Sequence, residues 1–269
     1  MNVKAALLGR FISLGLGFAL CLPLGAQVPQ VQPAKPAADS AADAPLPQAK
    51  EIITKFVKEI GGKAAFDKIE SQHIKGKFEM VGQGITGDLE VSAKRPDKLV
   101  IRITLPGIGE LAQGFDGKVG WSLDPITGPM VLEGKMLDQQ REEARFDSVL
   151  HDETNFTSRE TIGRTQFEGK DCLKLKLVRK SGQEVTEYYD AQSGLLMGSA
   201  EVQETPLGSV NATGILSDYK KFGDVLFATK LTQKMGPLAQ VMTFSSMEFN
   251  KVEDSAFDLP DPIKTLTKK

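Results

Sequence analysis

The 269-residue sequence contains few of the side chains on which most enzymes and metal proteins depend. It has two histidines, His73 and His151, two cysteines, Cys21 and Cys172, and one tryptophan, Trp121. The histidines are far apart, and neither belongs to a metal-ligand spacing such as H-x-x-x-H. We therefore predict no metal site and no cofactor.

Sequence motifs for nucleophilic and phosphate chemistry are also missing. No serine stands in a G-x-S-x-G elbow. Segment 82–87 matches G-x-G-x-x-G, but it lies between two predicted antiparallel strands with no helix after it, which argues against dinucleotide binding. Two carboxylate pairs, at 142–143 and at Asp258 with Asp261, are expected to face solvent, whereas glycosidases hold two acids across a cleft. We predict no catalytic residue and expect the protein not to be an enzyme.

The histidines and the later cysteine have ordinary structural interpretations. His73 alternates with lysines on a predicted strand and is expected at the surface. His151 ends a predicted helix, where a cation suits the helix dipole. Cys172 begins a strand without a nearby histidine motif, which predicts a buried or edge thiol rather than a nucleophile. If Cys21 leaves with a cleaved leader, the remaining chain has no internal disulfide.

The N-terminus has the pattern of a secretory signal. Lys4 and Arg10 form a basic region before an apolar run at 11–24, and a small-residue cleavage site precedes Gln27. We predict a signal peptide at 1–26 and export to the periplasm. Leu20 stands where a lipoprotein signal needs a small residue, which disfavours lipidation of Cys21.

Charge and composition limit the partners. The formal net charge is −2 and the lysines are scattered, so we expect no nucleic-acid binding. After the leader, no apolar run approaches about 18 residues, the length of a membrane span.

Segment 27–48 is rich in proline, alanine and glutamine and predicts a disordered linker. We predict a single domain at 49–269.

Hydrophobic periodicity predicts a mainly β fold with two helical segments (α+β). Apolar residues recur at helical spacing over Ala49–Glu59 and again over 135–151. Period-two alternation predicts a strand at 71–80, four strands within 85–125 and further strands between 156 and 250. Short connections favour antiparallel neighbours. We therefore expect a strongly curved antiparallel sheet, an incomplete β-barrel of about eleven strands, with helices over its apolar side.

Arg95 is the residue that departs from this pattern. It follows Leu89 and Val91 on the apolar face of its strand, and a buried charge there needs a partner or water. The next strand presents Leu99, Ile101 and Ile103 on one face. These aliphatic faces are compatible with a packed core or with a cavity for an apolar ligand.

Several short motifs suggest a family. Segments 87–89 (GDL), 94–96 (KRP), 116–117 (DG) and 121–125 (WSLDP) resemble those of the LolA-type periplasmic carriers of outer-membrane lipoproteins. The layout is similar too, with a signal peptide, an N-terminal helix, strands, an inserted helical segment and a closing F-x-x-P at 257–260. The resemblance implies an unclosed barrel with a helical lid and a cavity for acyl chains. It also implies that Arg95 holds the lid by hydrogen bonds that ligand binding releases.

The resemblance and the apolar pattern together give a set of candidate residues. We predict ligand-binding residues and a lid as follows: Leu89, Val91, Arg95, Leu99, Ile101, Ile103 and Trp121 for the ligand, and Met136, Leu137 and Phe146 for the lid. Acyl chains of lipoproteins or phospholipids are the expected ligands. An inner-membrane releasing complex and an outer-membrane acceptor are the expected partners, with transient membrane contact and a monomeric protein.

Three functional hypotheses stay open at this stage. The first is a periplasmic carrier of acyl chains between envelope membranes. The second is a non-catalytic scaffold or interaction module of the cell envelope, with its cavity plugged by its own side chains. The third is a hydrolase, which requires a polar cluster inside the concavity that the sequence pattern does not display.

Overall fold

A computed structural model describes residues 45–206 and 208–268. The predicted signal peptide at 1–26 and the first part of the predicted linker, 27–44, lie outside the described residues. Residues 45–48 precede the first helix without regular secondary structure.

Thirteen strands within the described residues form one antiparallel sheet. They are β1 Ser71–Met80, β2 Ile85–Lys94, β3 Lys98–Leu105, β4 Gly109–Phe115, β5 Gly120–Asp124, β6 Gly128–Val131, β7 Phe156–Phe167, β8 Lys170–Arg179, β9 Glu184–Asp190, β10 Leu196–Thr205, β11 Gly208–Phe222, β12 Val225–Met235 and β13 Leu238–Phe249. The expected strongly curved, unclosed antiparallel sheet is confirmed, with thirteen strands rather than about eleven. Strand β6 falls where the sequence suggested only a turn. Its Pro129 is tolerated because β6 lies at the edge of the sheet.

The strand order explains how the chain covers its own sheet. The order is β6-β5-β4-β3-β2-β1-β13-β12-β11-β10-β9-β8-β7. The pairing of β1 with β13 joins the two halves, with Gln72 opposite Phe249. Strands β6 and β7 are consecutive in the chain but lie at opposite edges. Residues 132–155, here called the strap, must therefore pass from one edge of the sheet to the other.

Four α-helices accompany the sheet in the described residues. They are α1 Ala49–Glu59, α2 Gly62–Phe66, α3 Gly134–Ala144 and α4 Asp261–Thr267. Helix α1 has the predicted bounds. The second predicted helix, 135–151, is wrong at its C-terminal end, because α3 stops at Ala144 and a short 3-10 turn, Ser148–Leu150, follows. Arg145 has extended ψ, which ends the helix before Phe146.

The two faces of the sheet carry different clusters. The face covered by α1, α2 and part of the strap, here called the inner face, holds the main hydrophobic core. The outer face carries a second, smaller cluster under the C-terminal segment, in which Phe257 and Ile263 pack against Val100, Ala112 and Trp121. The C-terminal segment thus covers the outer face and does not fill the inner one.

No helix in residues 45–206 or 208–268 combines the length and the apolar character that crossing a membrane requires.

Candidate functional site

The inner face of β2 and β3 presents paired rows of aliphatic side chains. Leu89 lies opposite Ile103, Val91 opposite Ile101, and Ala93 opposite Leu99. All of them are buried in the main core. The side-chain period of two places these residues on one face, and the register brings them side by side. Five of the seven predicted ligand residues therefore form one continuous apolar surface.

Arg95 follows β2 and closes one end of these rows. Its backbone N–H donates to the Glu70 carbonyl at 3.0 Å. Its Nε donates to the Ile69 carbonyl at 2.8 Å, and Nη2 donates to the Phe66 carbonyl at 3.4 Å. Nη1 lies 2.5 Å from Oδ1 of Asp147 in the strap. The guanidinium thus joins the α2 segment to the strap.

Phe146 packs against the same guanidinium. The Arg95 Cζ lies 4.8 Å from the centre of the Phe146 ring, and the Phe146 N–H donates to the Pro96 carbonyl at 3.0 Å. Phe146 is fully buried in the main core together with Val149. The strap therefore presses an aromatic ring into the inner face at the position where Arg95 holds it.

The other predicted lid residues behave differently. Leu137 is half-buried against the main core and lies over Gly120, where a Cβ would stand 2.8 Å from its Cδ1. Met136 is also half-buried, but it does not belong to the packed cluster. Of the three predicted lid residues, Phe146 and Leu137 contact the inner face.

A glutamine fastens the strap to the far side of the sheet. Gln139 of α3 donates from Nε2 to the Val202 carbonyl at 3.1 Å and accepts the Glu204 N–H at 2.9 Å. The pairing of β10 with β9 ends at Glu201, so these two backbone groups lie just beyond it. The side-chain amide of Gln139 acts there as a substitute for the next residues of a neighbouring strand.

Trp121 is separated from the other predicted ligand residues. It belongs to the outer-face cluster with Phe257 and Ile263, and its side chain is fully buried there. The structure places the other six around the inner face and Trp121 on the opposite side of the sheet.

Burial and charge act in opposite directions on Asp147. Burial raises the pKa of the Asp147 carboxyl above its usual value, and this is the largest influence. The Arg95 guanidinium lowers that pKa, through its charge and through the hydrogen bond, without cancelling the effect of burial. Two opposing effects therefore act on the contact between Arg95 and Asp147. The attraction of opposite charges stabilises it, and the partial removal of the carboxylate from water destabilises it.

A buried polar network lies under α1. His151 Nε2 is 2.9 Å from Oε2 of Glu187, and the Tyr189 hydroxyl donates to the same oxygen at 2.6 Å. His151 Nδ1 is 2.8 Å from the Val149 carbonyl, and Phe56 of α1 stands edge-on to the imidazole. The prediction that His151 ends a helix is wrong, because α3 stops at Ala144 and His151 lies buried after the Ser148–Leu150 turn. Glu187 lies on the inner face of β9 together with Tyr189. It is therefore a charged residue at an apolar strand position, which is the signal that identified Arg95.

Three buried glutamines form a second polar strip on the other half of the sheet. Gln240 donates to the Gln233 side-chain oxygen at 2.6 Å, and Gln233 donates to that of Gln203 at 3.3 Å. All three are shielded from solvent. The sequence alone does not reveal them, since glutamine at alternating strand positions is also typical of a solvated face.

The remaining sequence-based interpretations have mixed outcomes. Cys172 is buried, as expected, and burial raises the pKa of its thiol to about 11. His73 is half-buried, and its Nδ1 lies 3.1 Å from the Ser92 hydroxyl. The carboxylates at 142–143, expected in solvent, are half-buried. Among the residues that the structure describes, no cluster of histidine, cysteine, aspartate or glutamate has a metal-binding arrangement.

Comparison with known proteins shows which solved structures share this architecture. No protein-family model matches the sequence, and no curated protein matches it. Solved structures do match. A LolA superfamily protein from Nitrosomonas europaea is 14% identical with a TM-score of 0.52, over 79% of this chain and 98% of that chain. The chain has a LolA-like fold.

Two further structures extend the likeness. A DUF1329 family protein from Desulfovibrio piger is 12% identical with a TM-score of 0.55, over 78% of this chain and 97% of that one. A domain named for outer membrane lipoprotein sorting, from Vibrio parahaemolyticus, is 11% identical with a TM-score of 0.53, over 82% and 100%. At these identities the likeness concerns the LolA-like fold alone.

Proposed function

We propose that the protein is a periplasmic carrier that binds acyl chains of lipoproteins or phospholipids and moves them between envelope membranes. The bound chain lies between the inner face of β2 and β3 and the cover, which is formed by α1, α2 and the strap. The observation that carries this proposal is the position of Arg95, whose guanidinium ties both the α2 segment and the strap across the end of the aliphatic rows. The LolA-like fold supports it.

Such a carrier needs no catalytic group. Binding energy comes from burying methylene groups, at about 0.8 kcal/mol each. Leu89, Val91, Leu99, Ile101 and Ile103 supply the apolar wall. Because these side chains are already covered, an acyl chain has to displace part of the cover, with Phe146 the first residue to move. Trp121 stays outside this proposed site because it lies on the outer face.

Arg95 sets the balance between closed and open forms. Its hydrogen bonds to the Phe66 and Ile69 carbonyls and to Asp147 exist when the cover is closed. Hydrogen bonds to a charged group contribute about 1.5–3 kcal/mol each. Closing therefore competes with the acyl chain and helps to expel it, and a ligand that binds the open form shifts the population toward it.

The direction of transfer comes from partners that favour one form. A donor complex at the inner membrane loads the open form, and an acceptor at the outer membrane removes the chain as the cover closes. The signal peptide predicted at 1–26 supports a periplasmic location. A monomer with transient membrane contact suffices for this cycle.

One observation favours a second function, that of an envelope scaffold whose interior is plugged by its own side chains. The aliphatic rows of β2 and β3 are fully buried by the chain's own helices and strap. In a scaffold, this packing is permanent and the binding surfaces lie outside. The two hypotheses differ in whether an acyl chain ever replaces the cover.

The test is the release of lipid by purified protein. Full-length protein is exported, purified from a periplasmic extract and examined by native mass spectrometry with organic extraction of bound molecules. We expect copurifying lipid in the wild-type protein. In Arg95→Leu the closed form loses its hydrogen bonds, so release to phosphatidylethanolamine–phosphatidylglycerol vesicles should slow about tenfold, equivalent to about 1.4 kcal/mol.

Arg102→Leu is the matched control. Arg102 alternates with the inner-face residues of β3 and pairs with Glu110 on the outer side at 2.8 Å. This variant should release lipid at the wild-type rate. Arg95→Lys keeps the charge but loses the planar guanidinium that donates to three separate acceptors. It should therefore resemble Arg95→Leu. A wild-type protein that is purified without ligand and does not bind added fatty acids or phospholipids would favour the scaffold. A folded Arg95→Leu protein that releases lipid at the wild-type rate would refute the role of Arg95 in closing the cover.

A further inference from the structure

Gln72 is a polar side chain on the apolar inner face. It lies on β1 with the same alternation as the buried Ile74 and Phe78. Its register partners are Ala93 of β2 and Phe249 of β13. The side chain has no exposure to solvent. Gln72 therefore continues the row of Ala93 and Leu99 in the proposed acyl site.

Neither end of the Gln72 amide is satisfied. Both Nε2 and Oε1 are buried, and neither makes a hydrogen bond to any residue that the structure describes. Buried amides are normally paired, as Gln203, Gln233 and Gln240 are on the other half of the same sheet. A glutamine with a free donor and a free acceptor in an apolar wall is costly to the closed form and is satisfied by a partner that brings complementary groups.

The location of Gln72 links it to Arg95. The Arg95 backbone and side chain bind the carbonyls of Glu70 and Ile69, just before β1. Ser71, the first residue of β1, pairs with Lys94, the neighbour of Arg95. Gln72 is thus the first inner-face residue of β1 beyond the Arg95 tie. When that tie opens, Gln72 lies at the point where a chain enters the aliphatic rows.

We propose that Gln72 is the polar anchor for the head of the acyl ligand. Its Nε2 donates to the carbonyl oxygen of the acyl linkage, and its Oε1 accepts from an N–H or hydroxyl of the same head. The ligand class is therefore an acyl chain whose linkage carries both a carbonyl and a hydrogen-bond donor, such as an acyl amide, in preference to a bare hydrocarbon. This inference rests on the proposed acyl-binding function and adds the head-group chemistry to it.

The experiment compares three ligands of one chain length. Decanamide offers an acceptor and a donor, methyl decanoate an acceptor alone, and decane neither. Their affinities are measured by displacement of the fluorescent apolar probe 1-aminoanthracene from full-length wild type, Gln72→Leu and Gln72→Met. Ratios of affinities within each protein remove the differences in water solubility, and the comparison between proteins isolates the contribution of the amide.

A hydrogen bond in this setting changes an affinity by about fivefold. We expect the amide-to-alkane ratio to fall about tenfold or more in Gln72→Leu, the ester-to-alkane ratio about fivefold, and decane affinity to stay near wild type. Gln72→Met should give the same pattern. Both variants should unfold at or above the wild-type temperature, since each removes an unpaired buried amide.

Gln240→Leu is the control, because its amide is already bonded to Gln233. This variant should keep the wild-type ratios. Unchanged ratios in folded Gln72→Leu, with all three ligands bound, would overturn the anchor and leave the acyl site standing. Failure of every ligand to displace the probe from wild type would overturn both the anchor and the proposed function.

Discussion

The His151 imidazole and the Glu187 carboxylate meet in the interior, with Nε2 and Oε2 2.9 Å apart and both side chains hidden from solvent. His151 belongs to the strap and Glu187 to β9. The Nδ1 atom lies 2.8 Å from the Val149 carbonyl, so both ring nitrogens contact buried polar groups. The pair thus anchors the C-terminal end of the strap, as Arg95 anchors its middle.

Removing the imidazole should cost much of the protein's stability. In His151→Ala the Glu187 carboxyl stays buried and loses its imidazole partner, and breaking a buried pair in this way costs about 3 kcal/mol. The free energy of unfolding in urea, followed by circular dichroism, measures the loss. His73→Ala is the control, with an expected change within about 0.5 kcal/mol because His73 is half-buried on the outer face. Equal losses in the two variants would contradict the assigned role of the pair.

The Asp147 carboxyl predicts a pH dependence of opposite sign to that of most carboxylates. Its pKa in the folded protein lies above the reference value of 3.8, chiefly because of burial. The folded state therefore binds this proton more tightly than the unfolded state does. The contribution of Asp147 to stability is most favourable below pH 3.8 and declines as pH rises through the folded pKa.

Asp147→Asn isolates this contribution. The variant keeps an acceptor for Arg95 and removes the titration. We expect wild type to lose stability relative to Asp147→Asn as pH rises from about 3 to about 6, measured by urea unfolding at each pH. Asp147→Leu removes the acceptor as well and should release the strap, seen as faster amide hydrogen exchange over 145–150. A wild type that gains stability relative to Asp147→Asn over this range would contradict the sign.

The strands were predictable because their signal is local. Alternation over 71–80 and 85–125 places Leu89, Val91, Leu99, Ile101 and Ile103 on one face whatever the tertiary partner. Arg95 stood out for the same reason, as a charge at an apolar position. Its partners did not, because Asp147 lies 52 residues away and the other acceptors are backbone carbonyls. Which carboxylate meets a charge depends on how the strap crosses the sheet.

The face of Trp121 was not predictable for a different reason. Its strand reads GWSLD, in which Trp121 and Leu123 share the apolar face, and that face packs in the outer-face cluster under the C-terminal segment. Alternation separates the two faces of a strand, but it does not tell which side of the sheet the apolar face occupies. The same reasoning applies to Gln72, since glutamine on a strand predicts exposure until the register shows which face it occupies.

The position of Trp121 makes its fluorescence a reporter of the outer face. Phe257 packs in the same cluster, and Phe257→Ala leaves a cavity there, which should cost about 3 kcal/mol and shift the tryptophan emission to longer wavelength as water reaches the indole. Saturation with decanamide should leave the emission maximum unchanged. Phe222→Ala, whose ring packs against the main core, should destabilise the protein without changing the native emission. A ligand-induced shift would place the ligand on the outer face.

The Cys172 thiol should react slowly with alkylating reagents while the protein is folded. Burial, followed by the nearby Asp190 charge, raises its pKa from 9.0 to about 11. The reactive species is the thiolate, so at pH 8 a shift of about two units lowers its fraction about 100-fold. Iodoacetamide labelling of protein carrying Cys21→Ser, followed by mass spectrometry, compares the folded chain with the chain in urea. Because the thiol ionises more readily when unfolded, stability should also fall as pH rises from 9 toward 11. Labelling of the folded protein within a few-fold of the unfolded rate would contradict the closed packing of β8.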